Sequence, residues 1–255
     1  MNSREVILRE IGLTPIWVSR ASAAEVRDEA GSAATSVHTS TAEFAEAPEP
    51  SEKRALPPEQ STAERESVIA NLSWDELVAS IAACTACKLS KTRTNTVPGV
   101  GDHSPSWLVI GEAPGENEDK QGEPFVGKAG QLLDAMLGAV GKKRGNGIFI
   151  TNVIKCRPPG NRNPEPDEIS ACAPYLNRQV ALAQPKLLLA AGKFAAQTLL
   201  NCDDTVGAMR ALPADRSQRE GVPIVVTYHP SYLLRSPLEK AKAWDDLMKA
   251  RALVP

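Results

Sequence analysis

The sequence predicts an α/β protein: a three-layer α/β/α sandwich with a mainly parallel, four-stranded sheet, preceded by a disordered N-terminal extension. Two observations support this prediction. Four continuously apolar runs occur in the last two thirds of the chain, and helical patterns separate them. Strands that are apolar on both faces and alternate with helices are typical of a parallel sheet covered on both sides.

The N-terminal part divides into two segments. Residues 19–70 consist largely of Ala, Ser, Glu, Pro and Thr. This composition buries too little apolar surface to offset chain entropy, so it predicts a disordered linker. Residues 1–18 contain several large apolar side chains and are either a terminal helix packed on the domain or a short partner-binding motif. This segment resembles the partner-binding N-terminus of the bacterial clamp-loader psi subunit, which implies a replisome or repair partner.

Residues 71–255 form the predicted folded domain. Ser73 and Glu76 have the spacing of a capping box, which indicates a helix start. Strands are predicted at 106–111, 147–153, 186–192 and 222–228, with helices at 128–141, 166–183, 193–201 and 237–251. Ligands of such sheets bind beyond the carboxyl ends of the strands. Four polar residues that follow strands are therefore predicted to converge on one crevice: Glu112, Glu118, Asn152 and His229.

Composition and charge exclude some classes of protein. The chain is 42% hydrophobic with a formal net charge of −2, and it contains no apolar run of about 18 residues. Its first residues lack the apolar core of a secretory signal. We therefore expect a cytoplasmic protein without membrane contacts, a monomer, whose five cysteines are reduced or metal-bound.

Four of the cysteines have the arrangement of a metal site. Cys84 and Cys87 form a C-x2-C pair, Cys156 follows the second predicted strand, and Cys172 lies in the helix after it. Such a set suits a tetrahedral zinc or an iron–sulfur cluster. The wide spacing of the second pair favours a 4Fe–4S cluster, with zinc as the alternative. Cys156 and Cys172 are also compatible with ordinary buried thiols, and Cys202 has no assigned role.

Several motifs resemble one enzyme family. In chain order they are GEAPGENED, GEPFVGKAGQLLD, TNVIKCRPPGNRNP and HPSYLLR, together with the four spaced cysteines. Over about residues 72–250 they resemble family 4, the iron–sulfur branch of the uracil-DNA glycosylase superfamily. The resemblance implies a monofunctional base-excision-repair glycosylase that flips uracil out of DNA and hydrolyses its N-glycosidic bond, leaving an abasic site. Its partner would be uracil-containing DNA.

The resemblance also assigns residues to the flipped base. Phe125 would stack on the uracil ring, and the glycines and prolines around it favour a mobile, partly open position. The amide of Asn152 would pair with uracil O4 and N3–H, which cytosine cannot match. His229 would contact O2 as negative charge moves onto the departing ring.

The catalytic carboxylate is less clearly assigned. Family 1 relatives carry an aspartate at the position of Ala113. In this chain the alanine has no carboxylate, so Ala113 would only line the pocket. Glu112 and Glu118 are then the candidates for stabilising the sugar cation and positioning water. We favour Glu112, because Glu118 would alternatively crowd the uracil C5 edge and exclude the thymine methyl group.

The segment after His229 is expected to be a DNA-contacting loop. Leu233 is the first candidate for a wedge that enters the duplex where uracil leaves, with Leu234 second. Ser231 and Arg235 would hold phosphates. Four basic residues are expected to add positive charge at the same edge: Lys128, Lys155, Arg157 and Arg162.

Two other functions fit parts of the sequence. Some relatives bind uracil-DNA and form a covalent adduct, but they carry an Arg-rich insertion and a Gln in place of Ala113. Alternatively, a metal-cluster nucleotide-binding or redox module would hold phosphate in the loop GEAPG. Three acids in that region argue against phosphate: Glu116, Glu118 and Asp119.

Overall fold

The computed structural model describes residues 62–213 and 216–255. The predicted motif at 1–18 and most of the predicted linker lie outside these residues. Within them the chain has an α/β fold with helices on both faces of one sheet, which confirms the predicted fold class. None of the helices in the described segments is both long and apolar enough to cross a bilayer.

The elements alternate along the chain as the sequence predicts. The helices are α1 (Thr62–Ala70), α2 (Trp74–Ala83), α3 (Glu116–Gln121), α4 (Lys128–Ala139), α5 (Pro166–Ala183), α6 (Lys193–Leu200), α7 (Val206–Arg210), α8 (Pro230–Arg235) and α9 (Lys240–Leu253). The strands are β1 (Val100–Gly101), β2 (Trp107–Gly111), β3 (Ile148–Asn152), β4 (Leu187–Ala191), β5 (Gln218–Arg219) and β6 (Val222–Thr227). Short 3-10 turns occur at Lys88–Lys91, Pro159–Asn161 and Pro237–Glu239.

The sheet has the order β1-β3-β2-β4-β6-β5. Its four inner strands are the predicted ones, and they are parallel. Their carboxyl ends meet at one edge, where Gly111 pairs with Asn152 and Ala191 pairs with Thr227. The two outer strands are antiparallel and two residues long, too short to produce a recognisable apolar pattern. The sheet therefore has six strands where the sequence predicted four.

Alternate residues of each inner strand supply the two halves of the core. Leu108, Ile110 and Leu188 face one side, where they pack with residues of α5 and α6. Trp107 and Val109 face the other side and pack with residues of α4 and α9. Because both faces are covered, the inner strands are largely apolar and buried, and their polar residues stand at the carboxyl ends, such as Asn152 and Thr227.

The predicted linker, residues 19–70, extends too far towards the folded domain. Residues 62–70 form helix α1, although they were assigned to the disordered segment. Ile69 is 2% exposed in a cluster with Ile81 and Tyr175, and the Arg65 guanidinium lies over the Tyr175 ring at 5.0 Å. This one apolar anchor and one cation–π contact hold a helix whose composition alone is polar.

Helices α2 and α5 begin with matching capping boxes. The one predicted at Ser73 and Glu76 is present: the backbone N–H of Ser73 donates to Oε2 of Glu76 at 2.8 Å. The second joins Glu165 and Glu168 at the start of α5. Glu168 also accepts two hydrogen bonds from Arg162 at 2.6 and 2.9 Å, so α5 anchors the loop that follows β3.

Candidate active site

A pocket of about 540 Å³ opens at the carboxyl edge of the four inner strands. The structure brings together the residues that sequence reasoning assigned to uracil or to catalysis. The pocket wall includes Glu112, Ala113, Glu118, Phe125, Asn152 and His229, with Ser231 and Arg235 at the same pocket.

The Phe125 ring is packed tightly into this wall. Its side chain is 6% exposed, and its ring stacks on His229 with centroids 5.5 Å apart. A Cβ atom at Gly111 would lie 2.5 Å from Phe125 Cζ and 2.4 Å from Asn152 Oδ1, so position 111 tolerates only glycine. The expected partly open position is therefore wrong, because close contacts bury the ring on several sides.

The backbone around Phe125 is held in an unfavourable conformation. Phe125 has a φ of 56°, which is rare for a residue with a side chain. Oε1 of Glu118 accepts the N–H groups of Val126 and Gly127 at 3.0 and 3.1 Å. From the other side, Arg144 donates to the carbonyls of residues 124–125 at 2.8 and 2.9 Å. These four hydrogen bonds clamp the loop that carries the ring.

Asn152 has a buried acceptor without a partner. Its side chain is 1% exposed at the end of β3, and among the described residues nothing donates to its Oδ1. Leaving such an acceptor unpaired costs ~1–3 kcal/mol. This cost is removed when a ligand in the pocket presents an N–H group.

His229 is a neutral donor. Its Nδ1 accepts the backbone N–H of Ser231 at 3.1 Å and lies 2.7 Å from the Ser231 hydroxyl. Because a backbone amide only donates, the ring proton of neutral His229 sits on Nε2. Desolvation lowers the pKa of His229 to about 4, and the positive charge of Arg235 adds to this effect while Glu118 opposes it. The ring therefore offers one N–H donor at neutral pH.

Glu112 is a pocket carboxylate with a perturbed ionisation. It follows β2 directly and lines the pocket next to Ala113. Partial burial raises the pKa of Glu112 above its usual value. A raised pKa makes a carboxylate a stronger base, which suits the activation of water.

The segment after His229 differs from the predicted loop. It forms helix α8, and Leu233 is fully buried beside Leu247 and Trp244. Leu233 as the wedge is therefore wrong, since a core side chain cannot enter a duplex. Successive residues of a helix point about 100° apart. The exposed side chains are those of Leu234 at 44% and Tyr232 at 37%.

The four predicted ligand cysteines lie close together. Cys87 interacts electrostatically with Cys84, Cys156 with both of them, and Cys172 with Cys84 and Cys156. Desolvation raises the pKa values of three of these thiols, that of Cys172 to about 12. Cys202 instead packs against the core.

Cationic side chains surround these sulfurs. Arg93 donates to Cys156 Sγ at 3.1 Å, and Arg65 donates to Cys84 Sγ at 3.8 Å. Positive charge of this kind stabilises metal-bound thiolates. Within residues 62–213 and 216–255, no three or more His, Cys, Asp or Glu side chains form a group that could hold a single ion.

The prediction that Lys155 adds positive charge at the DNA-contacting edge is wrong. Its side chain is 1% exposed, and burial lowers its pKa to about 8. Arg162 lines the pocket as expected, but Glu168 pairs with its guanidinium and offsets its charge. The Arg157 guanidinium is partly engaged within the protein: it donates to Oδ1 of Asn161 and lies 3.7 Å from Glu116.

Sequence reasoning missed two groups of residues at the site. Tyr228 and Tyr232 line the pocket with ring centroids 5.2 Å apart. Their signal was available, because they lie one residue before and three residues after His229 in YHPSY. Arg144, which holds the Phe125 loop, lies in a glycine-rich turn 19 residues away and gave no such signal.

Comparison with known proteins identifies the family. The model of the "Uracil DNA glycosylase superfamily" matches residues 98–248, and the chain belongs to this superfamily. This confirms the resemblance found in the motifs.

Within the superfamily, the similarity is to type-4 enzymes. The type-4 uracil-DNA glycosylase of Archaeoglobus fulgidus is 41% identical over 183 residues, which cover 69% of this chain and 91% of that protein. The type-4 enzyme of Sulfurisphaera tokodaii is 38% identical over 71% of this chain and 84% of its own length. A type-5 enzyme of Thermus thermophilus is 32% identical over 41% of this chain and 53% of its own. These matches also confirm the expected class of enzyme, a monofunctional uracil-DNA glycosylase.

Proposed function

We propose that this protein flips uracil out of DNA and hydrolyses its N-glycosidic bond, leaving an abasic site. The observation that carries the proposal is the unpartnered Oδ1 of Asn152, buried in a pocket beside an aromatic ring and a neutral N–H donor. Uracil presents one N–H group and two carbonyls on a flat ring. This set of groups matches the pocket.

Three residues recognise the base in this proposal. The Asn152 amide accepts from N3–H and donates to O4, while Phe125 provides the stacking surface. His229 donates from Nε2 to O2, where negative charge develops as the bond breaks. Because the donor is neutral and already in place, it stabilises this charge without a proton transfer.

Glu112 acts on the sugar in this proposal. As uracil departs, the sugar acquires oxocarbenium character, which a nearby carboxylate stabilises. The same carboxylate orients water towards the anomeric carbon. Ala113 supplies no carboxylate, and Glu118 is occupied by two backbone N–H groups, so Glu112 is the better candidate.

Helix α8 contacts the duplex. Leu234, the second wedge candidate from the sequence, replaces Leu233, and the exposed Tyr232 stands beside it at the pocket. Ser231 and Arg235 lie at the same pocket, where they bind the backbone of the flipped nucleotide. The replisome or repair partner of residues 1–18 remains a proposal from the sequence alone.

A 4Fe–4S cluster bound by Cys84, Cys87, Cys156 and Cys172 completes the structure. When bound, it supplies cross-links between segments and needs no change of redox state. The cysteines come from the end of α2, the loop after β3 and helix α5. The cluster thus joins the N-terminal helices to the loop that leads away from Asn152.

Removing one cluster ligand should cost folding more than chemistry. Cys87→Ala is expected to lose iron and to lower the free energy of unfolding by more than about 4 kcal/mol, the range typical of metal loss. Iron content, visible absorbance and urea unfolding measure this. Cys202→Ala is the matched control and should keep its iron. An iron-free Cys87→Ala protein with unchanged stability would contradict the structural role.

The proposed function is tested with an oligonucleotide that carries one uracil. After incubation and alkali, we expect strand cleavage at uracil and none in matched oligonucleotides with cytosine or thymine. A shifted band on denaturing electrophoresis without alkali would instead indicate a covalent adduct. No cleavage and no adduct with iron-loaded protein would refute both readings and favour the nucleotide-binding or redox module.

Two substitutions of Glu118 separate clamping from catalysis. Glu118→Ala removes the acceptor for Val126 and Gly127, and each lost hydrogen bond to a partly buried N–H costs about 1 kcal/mol, so stability and uracil cleavage should fall together. Glu118→Gln retains a carbonyl acceptor without the charge and should restore most of both. Melting temperature and kcat/KM are measured for each variant. If Glu118→Gln is stable but catalytically dead, the charge of Glu118 acts in the chemistry.

A further inference from the structure

The pocket is larger than one uracil base requires. Its volume is about 540 Å³, and pockets of about 300–1,000 Å³ typically hold ligands of drug size. Uracil is a single six-membered ring with two carbonyl oxygens. The contacts proposed for its ring use Phe125, Asn152 and His229, whereas Tyr228 and Tyr232 line the same pocket and take no part in them. The pocket therefore has room for a further part of the DNA.

The two tyrosines form an aromatic pair beside the uracil contacts. Phe125 and His229 stack with ring centroids 5.5 Å apart. The tyrosine pair, Tyr228 and Tyr232, has centroids 5.2 Å apart and an angle of 31° between the ring planes. Because Tyr228 and His229 are consecutive residues at the end of β6, the tyrosine pair is the direct neighbour of the rings proposed to hold uracil.

The tyrosine pair combines a fixed ring with an accessible one. The Arg210 guanidinium lies over the Tyr228 ring, 4.9 Å from its centroid. Arg210 is itself held by α9, because it donates to both carboxylate oxygens of Asp246 at 2.6 and 2.9 Å and to the Lys242 carbonyl at 2.7 Å. Tyr228 is thus fixed in place, and Tyr232 packs against it while remaining 37% exposed. Tyr232 therefore offers a supported aromatic surface that a ligand can reach.

Such a surface at the edge of a base pocket suits a second nucleobase. Proteins that bind unpaired strands stack successive bases on aromatic side chains, and every base has a flat face for this contact. The base next to a flipped uracil is only one phosphate away. Lys193 and Arg235 are exposed and line the same pocket, where they can balance the phosphates of consecutive nucleotides.

We propose that the pocket binds two consecutive nucleotides of one strand, with uracil between Phe125 and Asn152 and the neighbouring base stacked on Tyr232. The inference rests on the proposed function and names its preferred substrate class, uracil in single-stranded DNA. In a duplex the second base must also leave its stack, at a further cost in free energy, whereas in a single strand it is already unpaired. The Tyr232 contact therefore favours single-stranded substrates.

The test is a cycle between Tyr232 and the neighbouring base. The probes are single-stranded oligonucleotides with one uracil. One has ordinary bases on both sides of uracil, and two others carry an abasic tetrahydrofuran residue on the 5′ or the 3′ side. We expect Tyr232→Ala to lower kcat/KM on the ordinary strand about 10- to 100-fold, the usual range for one lost stacking contact. The melting temperature should change little, because the side chain is partly exposed.

The decisive result is the dependence on the neighbouring base. When the base that stacks on Tyr232 is absent, wild type and Tyr232→Ala should cleave at similar rates, because each change removes the same contact. This loss of difference should occur for one of the two abasic strands only. On the matching duplex, Tyr232→Ala should lower kcat/KM by a smaller factor. Tyr232→Phe retains the ring and should match wild type on every strand.

The matched control is Trp244→Ala. Trp244 is an aromatic residue with 44% exposure, and it lines a different groove, on α9. It should cleave all the strands as wild type does. The same dependence on the neighbouring base in Trp244→Ala would overturn the proposal. An equal loss for Tyr232→Ala on all three strands would also overturn it, since that result assigns Tyr232 to the DNA backbone, as would a greater loss on the duplex.

A measurement on wild type alone covers the case in which Tyr232→Ala does not fold. Wild-type kcat/KM should fall about 10- to 100-fold on one abasic strand and much less on the other. Equal rates on the two abasic strands would defeat the proposal. Failure of the proposed function gives a different result, because wild type would then cleave none of the uracil strands.

Discussion

Asn152→Leu is expected to abolish most uracil cleavage without destabilising the protein. Leucine has a similar volume but cannot pair with N3–H or O4 of the base. Two unmatched groups at ~1–3 kcal/mol each correspond to a loss of roughly 10²–10⁴-fold in kcat/KM. Since Oδ1 of Asn152 has no partner among the described residues, removing it should leave the melting temperature equal or higher.

This opposite response of activity and stability is the informative part of the experiment. Single-turnover cleavage and thermal unfolding are measured on the same preparations. Asn177→Leu is the matched control, because Asn177 is exposed on α5 and its partner is Arg219, outside the pocket. If activity and melting temperature of Asn152→Leu fall in proportion, Asn152 holds the fold and does not read the base.

His229→Phe is the second substitution with a large expected effect. Phenylalanine keeps a ring that stacks on Phe125 but lacks the N–H that meets O2. Loss of one positioned donor in a dry site costs ~2.7–4 kcal/mol of barrier, which lowers kcat by about 10²–10³-fold. KM should change little, because the donor acts mainly as charge develops. A large rise in KM with unchanged kcat would instead make His229 a binding residue.

The same variant tests the ionisation of His229 through stability. The folded protein has a His229 pKa of about 4, against 6.5 for an ordinary histidine. Between these values the unfolded chain binds a proton that the folded chain does not. Stability therefore falls as the pH drops from 6.5 towards 4, by up to about 3 kcal/mol, and this contribution does not vary above 6.5. Urea unfolding from pH 4.5 to 7 should show a weaker pH dependence in His229→Phe than in wild type.

The sheet could be predicted from the sequence because burial on both faces leaves an uninterrupted apolar run. The ends of all four inner strands were predicted to within one residue. The edge strands β1 and β5 were missed because two residues carry no period. Helix α1 was missed because its stability comes from contacts of Ile69 and Arg65 with α2 and α5, which composition does not record.

The site was predictable where topology alone determines position. Asn152 and His229 end up in one pocket because they follow strands of the same parallel sheet. Contacts within the site were not predictable in this way. Leu233 and Leu234 are neighbours in sequence, and only the helix that carries them decides which one is buried. Lysine usually lies at the surface, and nothing in the sequence indicates that the Lys155 side chain is buried against the end of β3.

The two-residue edge strands, β1 and β5, affect how the protein behaves in concentrated solution. A long, flat border would offer rows of free N–H and carbonyl groups to another molecule. Here β1 and β5 pair in the reverse direction, and each occupies the outer side of its neighbour over only two positions. A strand from another molecule therefore finds few free backbone groups in β1 or β5 with which to form hydrogen bonds. Strand-by-strand growth into fibrils is thus disfavoured by the ends of the sheet themselves.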